Sequence, residues 1–163
     1  MKRLWAFWRI PYVRAFSERD QGCIFCELPS KPDEEALILL RTRHCFALMN
    51  RFPYNPGHVM VAPFRHVPSL EDLEEDEVLD MFRVARFLLR AIKASLKPHG
   101  FNLGVNIGRV AGAGFEGHVH LHIVPRWNGD TNFMPVIADT KVVSESLADT
   151  YSILRRALES LGE

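Results

Sequence analysis

Short apolar segments with a period of two occur on both sides of one longer segment that has the period of a helix. Residues 36–40, 45–49 and 58–63 predict three strands, and the segments between them are polar and rich in turn-forming residues. Residues 101–108 and 118–124 alternate again and predict two more strands. We therefore expect an antiparallel sheet whose consecutive strands pair as a meander.

The period changes at Ser69, where a long helix is predicted to begin. Ser69 is a suitable N-cap, and the acidic residues within 71–75 complement the positive end of the helix dipole. Apolar residues at alternating spacings of four and three predict the buried face of this helix: Val78, Phe82, Ala85, Leu89, Ile92 and Leu96. The segment 98–100, which contains proline and glycine, ends the helix.

The ends of the chain complete a single α+β domain over residues 1–163. Residues 1–20 form an N-terminal arm in which aromatic residues alternate with arginines. Such an arm is either a stacking surface for bases or a cover for the core or a subunit interface, and we favour the cover. A short strand is predicted at 134–138 and a closing helix at 144–161.

Length and composition are those of one globular domain, with 163 residues, 47% hydrophobic and 25% charged. Acidic and basic residues are equal in number, so no overall field favours nucleic acid or an anionic membrane. No apolar run approaches the roughly 20 residues of a membrane span. Three cysteines do not make a secreted disulfide framework. We expect a cytoplasmic protein without nucleic-acid or membrane partners.

Candidate chemistry is concentrated in residues 118–124, where histidine alternates with a branched apolar residue. Because side chains of a strand point to opposite faces in turn, His118, His120 and His122 are expected on one face, about 6.6 Å apart. Such a row can hold a metal, or hold a phosphate while one ring attacks it. Simple packing is the less favoured interpretation, since ordinary strands rarely present three titratable side chains on one face.

A second candidate is the pair Cys23 and Cys26, which are separated by two residues. Two thiolates at this spacing suit half of a tetrahedral zinc site, while a redox pair of the thioredoxin type is the alternative. No strand-then-helix pattern frames the pair, which favours a metal role if two histidines complete the set.

The histidine pattern, together with the strand-loop-strand at 46–63, resembles the histidine triad (HIT) family of nucleotide hydrolases and transferases. The resemblance covers a core at 23–127 and leaves 128–163 as a C-terminal extension. The arm and the segment 125–127 are similar to the branch that includes diadenosine tetraphosphate phosphorylases. The resemblance implies an antiparallel sheet with one long helix and a C-terminal helix, in a protein that forms a homodimer.

The resemblance also implies roles for individual residues. His120 matches the nucleophile, which attacks the α-phosphorus of a dinucleoside polyphosphate and forms a nucleotidyl-histidine that phosphate or water resolves. His122 matches a phosphate-contacting histidine, and Asn106 matches an amide that holds the nucleophile or the phosphate. The expected nucleotide contacts are Phe25, Asn50, Gly114 and Trp127.

Zinc-containing relatives use two cysteines, one histidine after the pocket strand, and the first histidine of the triad. The resemblance therefore implies a zinc set of Cys23, Cys26, His66 and His118. Four protein ligands close the coordination sphere, so that this zinc would be structural. Magnesium is expected only as a companion of the polyphosphate substrate.

One departure from the family pattern concerns the segment before the triad, where many members place a hydroxyl or amide side chain that touches phosphate. This chain has Phe115 and Glu116 there, and an inward-facing carboxylate would repel a polyphosphate. Several functions therefore stay open: phosphorylase, hydrolase or phosphoramidase with the same nucleophile, a metal hydrolase with catalytic zinc on the three histidines, or a nucleotide-binding module without catalysis.

Overall fold

The computed structural model describes residues 22–130 and 146–162, and its central element is a five-stranded antiparallel sheet. The spatial order of the strands is β1-β2-β3-β5-β4, and every neighbouring pair is antiparallel. The strands are β1 (Ile38–Arg41), β2 (Cys45–Met49), β3 (Val59–Pro63), β4 (Gly100–Val105) and β5 (Leu121–Arg126). The predicted meander is thus confirmed for the first three strands, whereas β5 inserts between β3 and the edge strand β4.

Four helices accompany the sheet in the described residues: α1 (Ile24–Glu27), α2 (Asp33–Ala36), α3 (Glu75–Leu96) and α4 (Leu147–Gly162). The long helix and the closing helix confirm the predicted α+β class. The N-terminal arm 1–20 and the strand predicted at 134–138 lie outside the described residues. No helix among the described residues is long and apolar enough to cross a membrane.

The predicted start of the long helix at Ser69 is wrong. Ser69 precedes a single 3-10 turn, and α3 begins six residues later at Glu75. The stronger cap is a reciprocal capping box, in which Glu77 accepts the N–H of Glu74 at 2.8 Å while Glu74 caps the N–H of Glu77. Arg65 holds the same Glu77 carboxylate with an Nε–Oε1 distance of 3.0 Å, which ties the helix start to the end of β3.

The predicted core face of α3 is also displaced. The buried side chains of α3 in this core are Met81, Val84, Ala85, Leu88, Ala91 and Ile92. Of the predicted stripe, only Ala85 and Ile92 are fully buried, while Leu89 and Leu96 pack against the margin of the same cluster. Phe82 is 50% exposed, and Val78, Leu89 and Leu96 are half-buried along one flank. Helix α3 therefore carries two adjacent apolar stripes. The sheet packs mainly against the stripe that contains Met81, Val84 and Leu88, which differs from the stripe predicted from the helical period.

Both faces of the sheet are covered. The first face packs against α3 and α4, and its strand residues are the odd-numbered apolar positions of β2, β3 and β5. The second face carries a smaller cluster formed by Phe25, Ala36, Ile38, Phe46, Leu48, Met60 and Ala62. Because side chains alternate along β5, the even-numbered histidines fall on this second face, beside Met60, whose Cα pairs with that of His122.

Helix α4 closes the side of the sheet opposite β4. The hydroxyl of Tyr151 donates to the carbonyl of Ile38 at 3.0 Å, and Arg155 donates to the carbonyl of Leu39 at 2.8 Å. These bonds occupy backbone groups of β1 that would otherwise be open to another strand. The other edge strand, β4, receives no such cover from α4.

Candidate functional site

The three histidines predicted to form one row occupy two environments. His118 and His120 immediately precede β5 and are buried, with 4% of His120 exposed, whereas His122 lies within β5 and is partly exposed. The rings of His120 and His122 meet edge to face with centroids 4.7 Å apart. The ring of His118 contacts His66 instead, with centroids 5.2 Å apart. The row is therefore divided. His118 belongs to a cluster of possible metal ligands, which we call the metal-type cluster, whereas His120 and His122 form a separate pair.

The metal-type cluster consists of the four residues predicted as zinc ligands, Cys23, Cys26, His66 and His118, whose ligand atoms lie within 4.8 Å of one another. Sγ of Cys23 lies 3.3 Å from Nδ1 of His118, and Sγ of Cys26 lies 3.3 Å from Nδ1 of His66. The two Nδ1 atoms are 3.3 Å apart. Tetrahedral zinc at ordinary bond lengths separates sulfur from nitrogen by about 3.5 Å and nitrogen from nitrogen by about 3.3 Å. The donor set therefore fits a tetrahedral metal.

The protonation of this cluster also suits a metal. Nε2 of His118 lies 2.9 Å from the carbonyl oxygen of Pro63, and because a carbonyl only accepts, Nε2 carries the hydrogen and Nδ1 keeps its lone pair. Burial lowers the pKa of His118, which favours this neutral ring. Burial raises the pKa of the Cys23 thiol to about 11. A bound cation reverses that effect, since coordination stabilises the thiolate.

His120 is oriented by a backbone bond of the same kind. Its Nδ1–H donates to the carbonyl oxygen of His118 at 2.9 Å, so that the lone pair of the ring lies on Nε2. Burial lowers the pKa of His120, and the ring is therefore neutral at neutral pH. A neutral imidazole with a fixed tautomer and an available lone pair has the properties of a nucleophile.

His122 belongs to a chain of hydrogen bonds that starts in the loop before β3. The N–H of Tyr54 donates to Nδ1 of His58 at 3.1 Å, which leaves the ring hydrogen of His58 on Nε2. Nε2 of His58 lies 3.0 Å from Nδ1 of His122 and donates to it. The ring hydrogen of His122 is consequently on its Nε2, where the ring can donate to a phosphate oxygen.

His58 is a fully buried residue that the prediction of the site had not included. The signal was present in the alternation of 58–63, because His58, Met60 and Ala62 share a strand face and Met60 pairs with His122. An isolated histidine at the start of an apolar strand gives no further indication of its partner, which comes from a strand 64 positions away.

Asp130 secures the loop that presents the Tyr54 N–H. Its carboxylate accepts from Nε of Arg126 at 2.6 Å, from the N–H of Trp127 at 3.1 Å, and from Nδ2 of Asn55 at 2.8 Å. The Arg126 guanidinium holds the pKa of Asp130 well below its usual range. This network joins the loop 50–57 to the end of β5.

The two predicted asparagines lie near the histidine pair. Asn106 directly follows Val105, the last residue of β4, and Val105 pairs with Leu121, the residue after His120. Its Nδ2 donates to the carbonyl of Gly112 at 3.4 Å and braces the loop before the triad. Asn50 accepts the N–H of Phe52 at 2.9 Å, and its Nδ2 lies 3.4 Å from Nδ1 of His58.

The remaining predicted nucleotide contacts are spread around the site. Gly114 is exposed in the loop that precedes the triad. In the same loop the carboxylate of Glu116 forms an ion pair with the guanidinium of Arg109 at 3.8 Å, so that its negative charge is paired. Trp127 is half-buried just after β5, about 23 Å along the strand from His120. Phe25 is only 1% exposed and packs against the rings of the triad.

Comparisons with known proteins agree with this arrangement. The HIT domain family matches residues 31–129. An AP-4-A phosphorylase of Mycobacterium tuberculosis is 40% identical over 161 residues, which cover 94% of this chain and 83% of that protein. A bis(5'-nucleosyl)-tetraphosphatase (asymmetrical) of Schizosaccharomyces pombe is 38% identical over 93 residues, covering 57% of this chain and 50% of that protein.

Among solved structures, a Zn-bound histidine triad family protein from Mycobacterium smegmatis is similar with a TM-score of 0.70 and 28% sequence identity, covering 86% of this chain and 96% of that one. A hypothetical histidine triad nucleotide-binding protein from Sulfolobus tokodaii gives a TM-score of 0.68 at 28% identity, covering 85% of this chain and 93% of that one. With a matching domain over more than half its length and relatives of this similarity, the chain belongs to the histidine triad family.

Proposed function

We propose that this protein is an enzyme that cleaves dinucleoside polyphosphates such as diadenosine tetraphosphate. The observation that carries the proposal is the neutral, backbone-oriented His120, whose Nε2 holds the lone pair beside a second histidine that can donate to phosphate. The names of its relatives, an AP-4-A phosphorylase and a bis(5'-nucleosyl)-tetraphosphatase, supply the substrate class.

The proposed reaction has two displacement steps. Nε2 of His120 attacks the α-phosphorus, a nitrogen–phosphorus bond forms, and the bond from that phosphorus to the bridging oxygen of the leaving polyphosphate breaks. His122 donates its Nε2–H to a phosphate oxygen and stabilises the negative charge that develops there. Phosphate or water then attacks the same phosphorus and releases His120. Phosphate as acceptor makes a nucleoside diphosphate, and water makes a nucleoside monophosphate.

The proposed nucleotide contacts begin beside the nucleophile His120 and extend outward from it. Asn106, which follows the end of β4 beside the triad, is assigned to steady the nucleophile and the loop that carries Gly114. Asn50 is assigned to the ribose hydroxyls and Phe25 to the apolar wall beside the triad. Trp127, about 23 Å along the strand from His120, is too distant to stack on the base of the attacked nucleotide, so we assign no base contact to it. The pairing of Glu116 with Arg109 keeps the carboxylate from acting as an isolated negative charge near the polyphosphate.

The four-residue metal cluster is proposed to hold structural zinc. A zinc ion there would link α1 to the segment that precedes β5 and keep His118 in one tautomer. Thiolate ligands of this kind persist in a reducing compartment, which is consistent with a cytoplasmic protein. Since His118 faces the cysteines, a catalytic zinc on all three histidines is disfavoured. Magnesium is assigned to the substrate polyphosphate and not to a protein site.

We also propose a homodimer formed through the β4 side of the sheet. Leu103 of β4 is 44% exposed, and the flank of α3 presents Leu79 and Phe82 as large exposed apolar residues. The described part of the chain leaves β4 as an edge strand, which is a template for pairing with a second copy. In such a dimer the exposed apolar stripe of α3, with Leu79 and Phe82, is covered by the second copy.

The function is tested by product analysis with diadenosine tetraphosphate, with and without inorganic phosphate. ADP and ATP formed only with phosphate identify a phosphorylase, and AMP and ATP in phosphate-free buffer identify a hydrolase. H120N is expected to lose turnover by at least about a thousandfold, because no other group can form the covalent intermediate. H99N, at an exposed histidine that accepts the Asn128 N–H, serves as the matched control with normal turnover. Absence of cleavage by the wild-type protein under both conditions would exclude this function.

The role of His58 is tested by H58N and H122N, alone and combined. An asparagine at 58 is too short to orient His122, so kcat is expected to fall by about 10- to 100-fold while KM changes little. If the effect of His58 on turnover passes through His122, the double variant should lose no more than H122N alone. If the two effects multiply, His58 has an independent role and the proposed hydrogen-bond chain is wrong.

The metal proposal predicts close to one zinc per chain in protein purified without chelator. C26S and H66A are expected to retain less than about a tenth of that zinc and to have a lower melting temperature, because metal binding stabilises the folded state. C45A is the matched control, since Cys45 is buried beside Thr42 and outside the cluster. Equal zinc content in C26S and C45A would contradict the proposed ligand set.

For the dimer, F82E and L103E are each expected to shift the protein from twice the monomer mass to the monomer mass in light scattering after size exclusion. A buried carboxylate at either position would be costly to desolvate in the interface. L161E, at an exposed leucine of α4, should leave the dimer intact. A monomeric wild-type protein, or an unchanged mass in both variants, overturns this interface.

A further inference from the structure

Phe25 contacts His118 of the metal-type cluster and also His120, the proposed nucleophile. It lies in α1 between the metal-type ligands Cys23 and Cys26, and its ring covers the imidazole of His120. The two ring centroids are 4.6 Å apart and the ring planes are inclined by 33°. The same ring lies 5.2 Å from the ring of His118, and Phe115 packs edge-on against it at 5.7 Å.

The position of Phe25 depends on its neighbours in sequence. Helix α1 has only four residues, and a helix this short has no stability of its own. It is held by its turn, in which the N–H of Cys26 donates to the carbonyl of Cys23 at 2.9 Å, and by the contacts of the two cysteines with His118 and His66. A metal on these ligands fixes the backbone on both sides of Phe25.

His120 needs a second constraint beyond its hydrogen bond. The Nδ1–H bond to the His118 carbonyl fixes one atom of the ring, but the terminal torsion of a histidine is broad and one bond does not fix the ring plane. Packing of Phe25 on one face of the imidazole restricts this torsion and excludes water from that face. The direction of the Nε2 lone pair is thereby set.

We propose that Phe25 is a positioning residue for the nucleophile, and that metal binding by Cys23 and Cys26 sets the orientation of His120 through the Phe25 ring. The inference rests on the proposed role of His120. It differs from a contact between Phe25 and the base of the substrate, because the ring is 1% exposed and its face is already occupied by His120.

The kinetic test compares F25L with F46L. Both phenylalanines are buried in the same apolar cluster, but the ring of Phe46 stacks on Phe64, with centroids 5.3 Å apart, whereas the ring of Phe25 packs on His120. F25L is expected to lower kcat by about tenfold or more, with KM within about twofold, because the reacting atom is displaced while the substrate still binds. F46L should keep the wild-type kcat. A higher KM at unchanged kcat in F25L would indicate a base contact, and equal losses of kcat in both variants would indicate general packing.

A second test needs no substrate, so that it distinguishes failure of this inference from failure of the proposed function. Diethyl pyrocarbonate acylates neutral imidazoles that it can reach, and fragmentation mass spectrometry identifies which histidine is modified. His120 is expected to be acylated severalfold faster in F25L than in the wild type and F46L, because one face of its ring is uncovered. An unchanged rate at His120 in folded F25L overturns the positioning role.

The metal link is tested with wild-type protein from which zinc has been removed by a chelator, as verified by elemental analysis. The acylation rate of His120 is expected to rise toward the rate in F25L, because Cys23 and Cys26, on either side of Phe25, are then no longer held by the metal. Restoring zinc alone should return the slow rate, and F25L should itself still bind zinc. If metal-free wild-type protein keeps the slow rate at His120, the metal does not act through Phe25.

Discussion

His118 makes three interactions on which the rest of the site depends. Its Nε2–H donates to the carbonyl of Pro63, its Nδ1 faces Cys23 and Cys26, and its own carbonyl accepts the Nδ1–H of His120. The first bond selects the tautomer that can bind a metal, and the third selects the tautomer that leaves Nε2 of His120 with a lone pair. One residue thus connects the end of β3, the metal-type cluster and the proposed nucleophile.

These interactions are effective because the histidine face of the sheet is covered. The cluster around Phe25, Phe46 and Met60 removes water from the second face, so that burial lowers the pKa of both His118 and His120. Desolvation is the main reason that both imidazoles are neutral. An open sheet face with the same residues would leave the rings hydrated and free to change tautomer.

The loop 50–57 contributes on the other side of the pair. It supplies the Tyr54 N–H that directs His58 toward His122, and Asp130 anchors it through Asn55 to the end of β5. The proposed nucleophile and the proposed phosphate donor are therefore oriented by separate backbone groups, one in the segment just before β5 and one in this loop. Such fixed dipoles need no reorganisation during a displacement at phosphorus.

The sequence by itself determined the elements that local periodicity specifies. The alternation in 45–49 and 58–63 correctly identified strands, and that in 118–124 identified β5, which however begins only at Leu121. The spacing of Cys23 and Cys26 indicated half of a metal site, because the two residues lie close together in sequence. Periodicity could not decide which apolar stripe of α3 faces the sheet, since both stripes have helical spacing. Ser69 had the residue type of a cap, but the capping box at Glu74 prevailed through Arg65, which the chain brings from β3.

Only the tertiary structure decided how the histidines are used. The strand pattern predicted one row, whereas the packing of α1 against the second face drew His118 to the cysteines and left His120 with His122. His58 joined the site through a bond to a strand far along the chain. Tautomers, burial and the position of Phe25 depend on contacts between residues distant in sequence. Local patterns carry no information about such contacts, because the energies that select them arise only when the sheet is assembled.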